Sequence, residues 1–281
     1  MKRFQKIYVE ISNICNLNCS FCPGTRRPRH AMTEEEFSVL LPKLKPWTDF
    51  LYFHLMGEPL CHPKLDRFLE LAGEMDFRVI LTTNGTLLSK AHNLTETALH
   101  KIQISLHSQE GNAKENLEEY IRDVMEFSLR AAKNGIIVVL RLWNEGGYNS
   151  KNETIINHIA EHVQRPWTSR YDGWKICENL YLEMDSVFEW PDTERDELSQ
   201  NESFCYALRN QIGVLVDGTV VPCCLDHAGT IKLGNLHTQT LGEILSSPRA
   251  KAIYDGFTRH EAVESLCKRC GYANVTKKFR K

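Results

Sequence analysis

Within the first 190 residues, six short runs of strand-forming apolar residues alternate with residues at helical spacing, and no other feature narrows the fold as much. Residues 7–11, 50–55, 78–83, 102–106, 136–142 and 179–187 read as strands. Behind a Thr33-x-x-Glu36 capping box, Phe37, Leu40, Leu41 and Leu44 recur at i, i+3, i+4 and i+7. Leu65, Phe68, Leu69 and Ala72 repeat that spacing. Leu117, Tyr120, Ile121, Val124, Ser128 and Ala131 trace a longer face that stops at Asn134-Gly135. Thr86 is placed to cap a helix after the third strand, and another helical stretch covers 151–164. The fifth run is apolar nearly throughout, as parallel strands covered on both faces are. Six strand–helix units in series imply a parallel α/β fold, open sheet or barrel. Ligands of such folds gather at the carboxyl ends of the strands.

The pattern changes near residue 190. An acidic, polar stretch at 189–197 suits a linker, and 212–216, Asp217-Gly218 and 219–221 signal a hairpin with an Asp-Gly turn. An amphipathic helix is expected near 241–253, followed by a basic tail ending Lys277-Lys278-Phe279-Arg280-Lys281 that reads as a solvated terminus. At roughly 150 residues per domain, 281 residues make about two, divided as 1–190 and 191–281. With 34 Lys+Arg against 36 Asp+Glu the net charge is −2, which argues against nucleic acid or an acidic membrane surface as the main partner. No run approaches the roughly 18 apolar residues of a spanning helix. The start, Met1-Lys2-Arg3-Phe4-Gln5-Lys6, carries no signal-peptide core, so a cytoplasmic location is expected.

Ten cysteines in such a chain call for an explanation other than a disulfide scaffold, which is usually short and secreted. Cys15, Cys19 and Cys22 form a C-x3-C-x2-C triplet directly after the first strand. Structural zinc wants four ligands, so the triplet leaves it one short unless His30 completes the set. A [4Fe–4S] cluster on three thiolates keeps one iron without a protein ligand, free to chelate a small molecule. Cys61 and Cys177 stand alone and read as small packed hydrophobes.

Cys15-Asn16-Leu17-Asn18-Cys19-Ser20-Phe21-Cys22 resembles the signature of radical S-adenosylmethionine (AdoMet) enzymes, including the aromatic residue before the third cysteine. The resemblance implies a partial (β/α)6 TIM barrel and a cluster whose open iron binds AdoMet, which one electron cleaves to a hydrogen-abstracting 5′-deoxyadenosyl radical. Met56-Gly57-Glu58-Pro59 resembles the family's Gly-Gly-Glu-Pro motif after the second strand, with Met56 in place of the first glycine. Gly57, Glu58 and Pro59, with Thr83, Asn84, Ser105 and Arg141 at later strand ends, match positions at which the family contacts AdoMet.

Cys205, Cys223, Cys267 and Cys270 are spaced 18, 44 and 3 apart, which by itself fits zinc or a second iron–sulfur cluster. After a radical AdoMet domain they resemble the SPASM/Twitch extension, in its shorter Twitch form with one auxiliary [4Fe–4S] cluster. The stretch 217–223 is similar to its hairpin ending in a ligand cysteine. Cys224 is an alternative ligand to Cys223. The resemblance therefore implies two [4Fe–4S] clusters and AdoMet, with electrons supplied by an external one-electron donor of flavodoxin or ferredoxin type. A closed auxiliary cluster suits electron acceptance, hence a net two-electron oxidation like that of Twitch-containing dehydrogenases acting on an aminocyclitol alcohol.

Substrate signals are fewer. Arg26, Arg27 and Arg29 follow the triplet, and arginine forks suit carboxylate or phosphate. His54 and His107, near strand ends, are candidate acids or bases. Trp143, Trp167, Trp174 and Trp190 are candidate cavity walls. The substrate is a small molecule or a peptide, a peptide or protein maturase being the alternative to a dehydrogenase. The start at the first strand leaves no room for a leader-capturing domain, which weighs against the peptide. A non-enzymatic iron–sulfur or zinc redox sensor is the reading from another class, and it leaves the motifs after successive strands unexplained.

Overall fold

The computed structural model describes residues 3–91, 93–94, 97–109, 116–196 and 204–272. The chain runs β1 (Lys6–Val9), α1 (Glu34–Leu44), β2 (Phe50–Phe53), α2 (Leu65–Glu74), β3 (Arg78–Thr83), β4 (Leu99–Ser105), α3 (Leu117–Lys133), β5 (Ile137–Glu145) and α4 (Asn152–His162). It continues through β6 (Thr168–Arg170), β7 (Gly173–Cys177), β8 (Leu180–Ser186), β9 (Gln211–Val214), β10 (Thr219–Val221), β11 (Gly234–Asn235), α5 (Leu241–Leu245), α6 (Pro248–Thr258) and α7 (Ser265–Lys268).

These elements group into two compact units. One takes the chain up to Asn13, Thr25–Gly57 and everything from Phe188 on. In it β1 lies parallel to β2 on one side (Ile7 opposite Leu51) and parallel to β9 on the other (Ile7 opposite Ile212). β10 and β11 extend this sheet antiparallel beyond β9. The Asp-Gly turn forms as expected, with Gly218 at φ 80° and the Thr219 amide donating to the Asp217 carboxylate at 3.0 Å. The capping box of α1 closes both ways: Glu36 N–H donates to the Thr33 hydroxyl at 3.1 Å, and Thr33 N–H to the Glu36 carboxylate at 2.6 Å. Phe37, Leu40, Leu41 and Leu44 are the buried face.

The other unit takes Ile14–Gly24 and Glu58–Val187. Its strands β3, β4, β5 and β8 are mutually parallel in that order, and β7 and β6 continue antiparallel from β8. Val138, Val139, Leu140 and Leu142 of β5 are buried, which explains its unbroken apolar run. Asn116 caps α3, and the helix ends at Asn134, with Gly135 at φ 83°.

Three local expectations change. Thr86 caps no α-helix; its amide and hydroxyl both donate to the Asn84 side chain, and a single 3-10 turn at Leu88–Lys90 follows. The helix expected over 241–253 breaks in two, because Ser247 caps a new helix whose first residue is Pro248. The β6–β7 hairpin falls where the sequence shows only connection: β6 is exposed throughout and carries no alternation. The basic tail lies outside the described residues.

Candidate active site

The loop leaving β1 carries the triplet. Cys22 N–H donates to the Cys19 carbonyl at 3.1 Å, and Leu17 N–H points at the Cys15 sulfur at 3.4 Å. None of the ten cysteines forms a disulfide. Cys15 and Cys22 reach the surface by area, yet enough protein surrounds each thiol to raise its pKa, and burial is the main cause in both. Between the first two cysteines, Asn16 anchors the loop to the exit of β3. Its amide donates to the Thr86 hydroxyl at 2.8 Å and its carbonyl accepts from the Asn84 amide at 3.0 Å. The same carbonyl oxygen lies 3.7 Å from the Cys61 sulfur. Cys61 and Cys177 are therefore half-buried surface thiols rather than core hydrophobes, the latter beside the Glu178 carbonyl.

Glu58 is the best-supported side chain of this unit. Its carboxylate, 2% exposed, accepts from the Thr83 hydroxyl (2.7 Å), Asn84 N–H (2.7 Å) and Leu60 N–H (3.0 Å). Those donors favour the charged form, but burial outweighs them and the pKa is pushed up to about 7. Asn84 is held in turn from three sides, its carbonyl accepting from Tyr120 at 2.8 Å and Ser108 at 3.1 Å. Gly57 is required by its backbone: at φ 81°, a Cβ would lie 2.4 Å from the Ser12 carbonyl oxygen. Met56 is accommodated without strain, buried, its N–H donating to Glu10 at 3.2 Å.

Register places Ser105, the last residue of β4, beside Arg141 and Glu183 in the middle of β5 and β8, so Arg141 does not end its strand as expected. The Arg141 guanidinium lies over the Trp143 ring at 4.0 Å, and its Nε is 3.8 Å from a Glu183 oxygen. Sequence reasoning found Ser105 and Arg141 but missed Glu183, a half-buried acid alternating with buried Leu180 and Leu182. His107 meets the backbone of β5. Its Nδ1 is 3.2 Å from the Arg141 carbonyl and 3.4 Å from Trp143 N–H, contacts that need opposite tautomers, so one is made at a time. Phe21 of the triplet packs on the His107 ring at 5.3 Å. Burial lowers the His107 pKa to about 4, so it is neutral near pH 7 and a poor proton carrier there. Of the other tryptophans, Trp167 and Trp174 pack edge to face.

In the unit containing β1, five thiols, those of Cys205, Cys223, Cys224, Cys267 and Cys270, sense one another. Burial raises Cys223 well above its ordinary value, and Cys205, Cys224, Cys267 and Cys270 push it further. Cys267 is raised by burial, then by Cys205 and Cys270, while Cys205 is pushed to about 11, chiefly by burial. Cys267 lies in α7 and Cys270 two residues past its end, with Cys270 N–H on the Cys267 carbonyl at 3.4 Å. Cys224 is placed differently. It packs on the apolar cluster of Tyr8, Leu55, Leu215 and Val221, with its thiol bonded to Tyr8. Among the described residues, no three His, Cys, Asp or Glu side chains close around a single point as ligands of one ion would.

The remaining candidates of this unit have local partners. His54 packs edge-on to Tyr8 at 5.1 Å. His30 faces Glu36 of the α1 capping box at 3.1 Å, and Trp190 stacks edge-on to His227. Arg27 is spent on Glu10 at 2.5 Å and on the His227 carbonyl at 2.9 Å, whereas Arg26 and Arg29 are exposed.

Comparison with known proteins bears on both units. A model of the Radical SAM superfamily matches residues 9–159, and one of an iron–sulfur cluster-binding domain, SPASM, matches residues 205–271. The S-adenosyl-L-methionine-dependent 2-deoxy-scyllo-inosamine dehydrogenase of Niallia circulans is 25% identical, over 98% of this chain and 95% of its own. The crystal structure of BtrN in complex with AdoMet and 2-DOIA superposes with a TM-score of 0.63 at 21% identity, covering 96% of this chain and 94% of that one. Streptococcus suis SuiB bound to precursor peptide SuiA gives 0.54 at 17%, covering 98% and 73%. The fold is of the radical SAM α/β type. No described helix is long and apolar enough to cross a membrane. A triplet loop braced against the exit of β3, and a matching model over more than half the chain, lead to one conclusion: this chain belongs to the Radical SAM superfamily and is a radical SAM enzyme with a SPASM iron–sulfur domain.

Proposed function

We propose that the chain is a two-cluster radical dehydrogenase that oxidises an alcohol carbon of a small, polar, amine-bearing substrate. What supports this reading is the closeness of Cys205, Cys223, Cys267 and Cys270, whose thiols interact electrostatically; as ligands they would leave a second cluster no open iron. The near full-length similarity to an AdoMet-dependent dehydrogenase of an inosamine supports the substrate class. In this reading residues 1–190 form the AdoMet-cleaving half and 191–281 the auxiliary half. Cys15, Cys19 and Cys22 hold one [4Fe–4S] cluster; Cys205, Cys223, Cys267 and Cys270 hold the other, with Cys224 a packed neighbour. Bound there, clusters and AdoMet supply a hydrogen-abstracting radical and a sink for one electron.

The chain's own residues prepare that chemistry. Glu58, held by three donors, offers a fixed carboxylate to the ammonium of AdoMet, while Gly57, Pro59, Thr83, Asn84 and Ser105 shape the surrounding cradle. Arg141, over the Trp143 ring with Glu183 alongside, sets one positive and one negative group on neighbouring strands, which suits a zwitterionic or polyhydroxylated molecule. Cys15, Cys22, Cys205, Cys223 and Cys267 have raised pKa values and must lose protons on loading, so cluster assembly is favoured as pH rises. A flavodoxin- or ferredoxin-type donor and a cytoplasmic, reducing compartment complete the reading.

Anaerobic turnover with aminocyclitol alcohols tests it. The expected product is lighter by two hydrogens, with one 5′-deoxyadenosine released per product. A redox-neutral rearrangement would overturn the dehydrogenase. Cross-linking or oxidation of a peptide would move the assignment to a maturase, the reading that likeness to SuiB supports.

A further inference from the structure

Glu10, the residue after β1, is fully buried and carries no role in the chemistry above. A carboxylate withdrawn from water must be met by donors or a counter-charge. Glu10 has both, from three separate segments. Arg27 Nη2 donates to Oε1 at 2.5 Å, Met56 N–H to the same oxygen at 3.2 Å, and Val216 N–H to Oε2 at 3.0 Å. Its own N–H continues the β1–β9 ladder onto the Val214 carbonyl at 2.9 Å.

Arg27 faces two ways. While one nitrogen meets Glu10, its Nε donates to the His227 carbonyl at 2.9 Å, four residues past Cys223. Planar guanidinium geometry allows both bonds at once, which a lysine ammonium on a flexible stem cannot reproduce. The pair therefore joins the loop after the triplet, the exit of β2 just before Gly57, the turn of the β9–β10 hairpin and the segment following Cys223.

We propose that Glu10 and Arg27 are positioning residues for the auxiliary cluster, their buried ion pair clamping the hairpin and the Cys223 segment onto the first strands. This rests on the reading that Cys205, Cys223, Cys267 and Cys270 hold a cluster. The pair fixes the backbone that presents Cys223 and the Val216 turn, and so sets the second cluster's spectrum, its potential and how efficiently each radical event yields product.

The test uses the full chain, reconstituted anaerobically, as wild type, Arg27→Met, Arg27→Lys and Glu10→Gln. Readouts are iron content, the electron paramagnetic resonance signal and midpoint potential of the second cluster, and the ratio of product to 5′-deoxyadenosine. A wild type holding only the first cluster's iron would defeat the two-cluster reading itself. With both clusters present, Arg27→Met is expected to keep 5′-deoxyadenosine release, shift the second cluster's signal and potential, and lower the product ratio several-fold. Arg27→Lys restores the charge facing Glu10 and is expected to recover part of each change. Superposable spectra, potentials and ratios for Arg27→Met and wild type would overturn the proposal. Should Arg27→Met fail to fold, Arg27→Lys decides: it loses the bond to His227, and a second cluster indistinguishable from wild type would equally overturn it.

Discussion

At the scale of single residues, Glu58 shows burial winning over hydrogen bonds. Three donors would ordinarily hold a carboxyl acidic, yet its pKa rises from 4.5 to about 7. Between those values the folded chain retains a proton that the unfolded chain has released. Its contribution to stability is thus complete below about pH 4.5 and is lost as pH rises through about 7. His107 works in the opposite sense, losing its contribution as pH falls from 6.5 through about 4. Between about pH 5 and pH 6.5 the two contributions oppose each other, so cluster-free protein is expected to melt at progressively lower temperature only from about pH 6.5 to pH 8, with Glu58→Gln removing that fall in thermal scans. On the proposed role of Glu58 toward AdoMet, affinity should rise from about pH 5 to pH 8 as the carboxyl ionises and fall about tenfold or more in Glu58→Gln by calorimetric titration. Among the thiols, Cys267→Ala is expected to remove about four of about eight irons. Cys224→Ala should keep all of them and cost only about 1 kcal/mol in denaturant titration, because that thiol packs on Tyr8 and Leu55. The triplet and Glu58 were legible because their motifs are local. Glu183 and Glu10 were not: a polar residue on or after a strand acquires meaning only from the register or partner that meets it, and those lie up to 206 residues away.

At the scale of elements, period and punctuation carried most of the reading. α1 begins at its Thr33 cap and α3 ends at Asn134-Gly135, as their sequences announce. The break between α5 and α6 was also written in Ser247-Pro248, a cap followed by a residue that tolerates only the first turn, but the continuing apolar spacing masked it. The β6–β7 hairpin had no such signal, since an edge strand exposed on every residue needs no alternation. Gly57 links this scale to function. Its left-handed backbone costs any other residue about 1–2 kcal/mol, and a methyl group 2.4 Å from the Ser12 carbonyl must displace that backbone. Gly57→Ala is expected to lower the unfolding midpoint and abolish measurable AdoMet binding; a variant that binds AdoMet as wild type would refute the close-approach role.

At the scale of the whole molecule, the C-terminal segment is more than a module on a linker. β9 supplies a parallel neighbour to β1, and the Val216 amide satisfies one oxygen of buried Glu10. Composition near residue 190 marked a change in character, but nothing local in the sequence says that residues 211–214 return to pair with residues 6–9. Truncation after residue 190 is accordingly expected to yield a chain without a cooperative thermal transition; a cooperative one would show that the first strands need no C-terminal partner. The central claim, a radical enzyme working with two clusters, is tested most directly by one preparation of anaerobically reconstituted full-length protein. Iron and 5′-deoxyadenosine are quantified together after reduction with AdoMet present. The account predicts about eight irons and 5′-deoxyadenosine that disappears in Cys19→Ala, which should keep about four irons in the second cluster. Protein that holds zinc, or that never cleaves AdoMet while carrying both clusters, would contradict it.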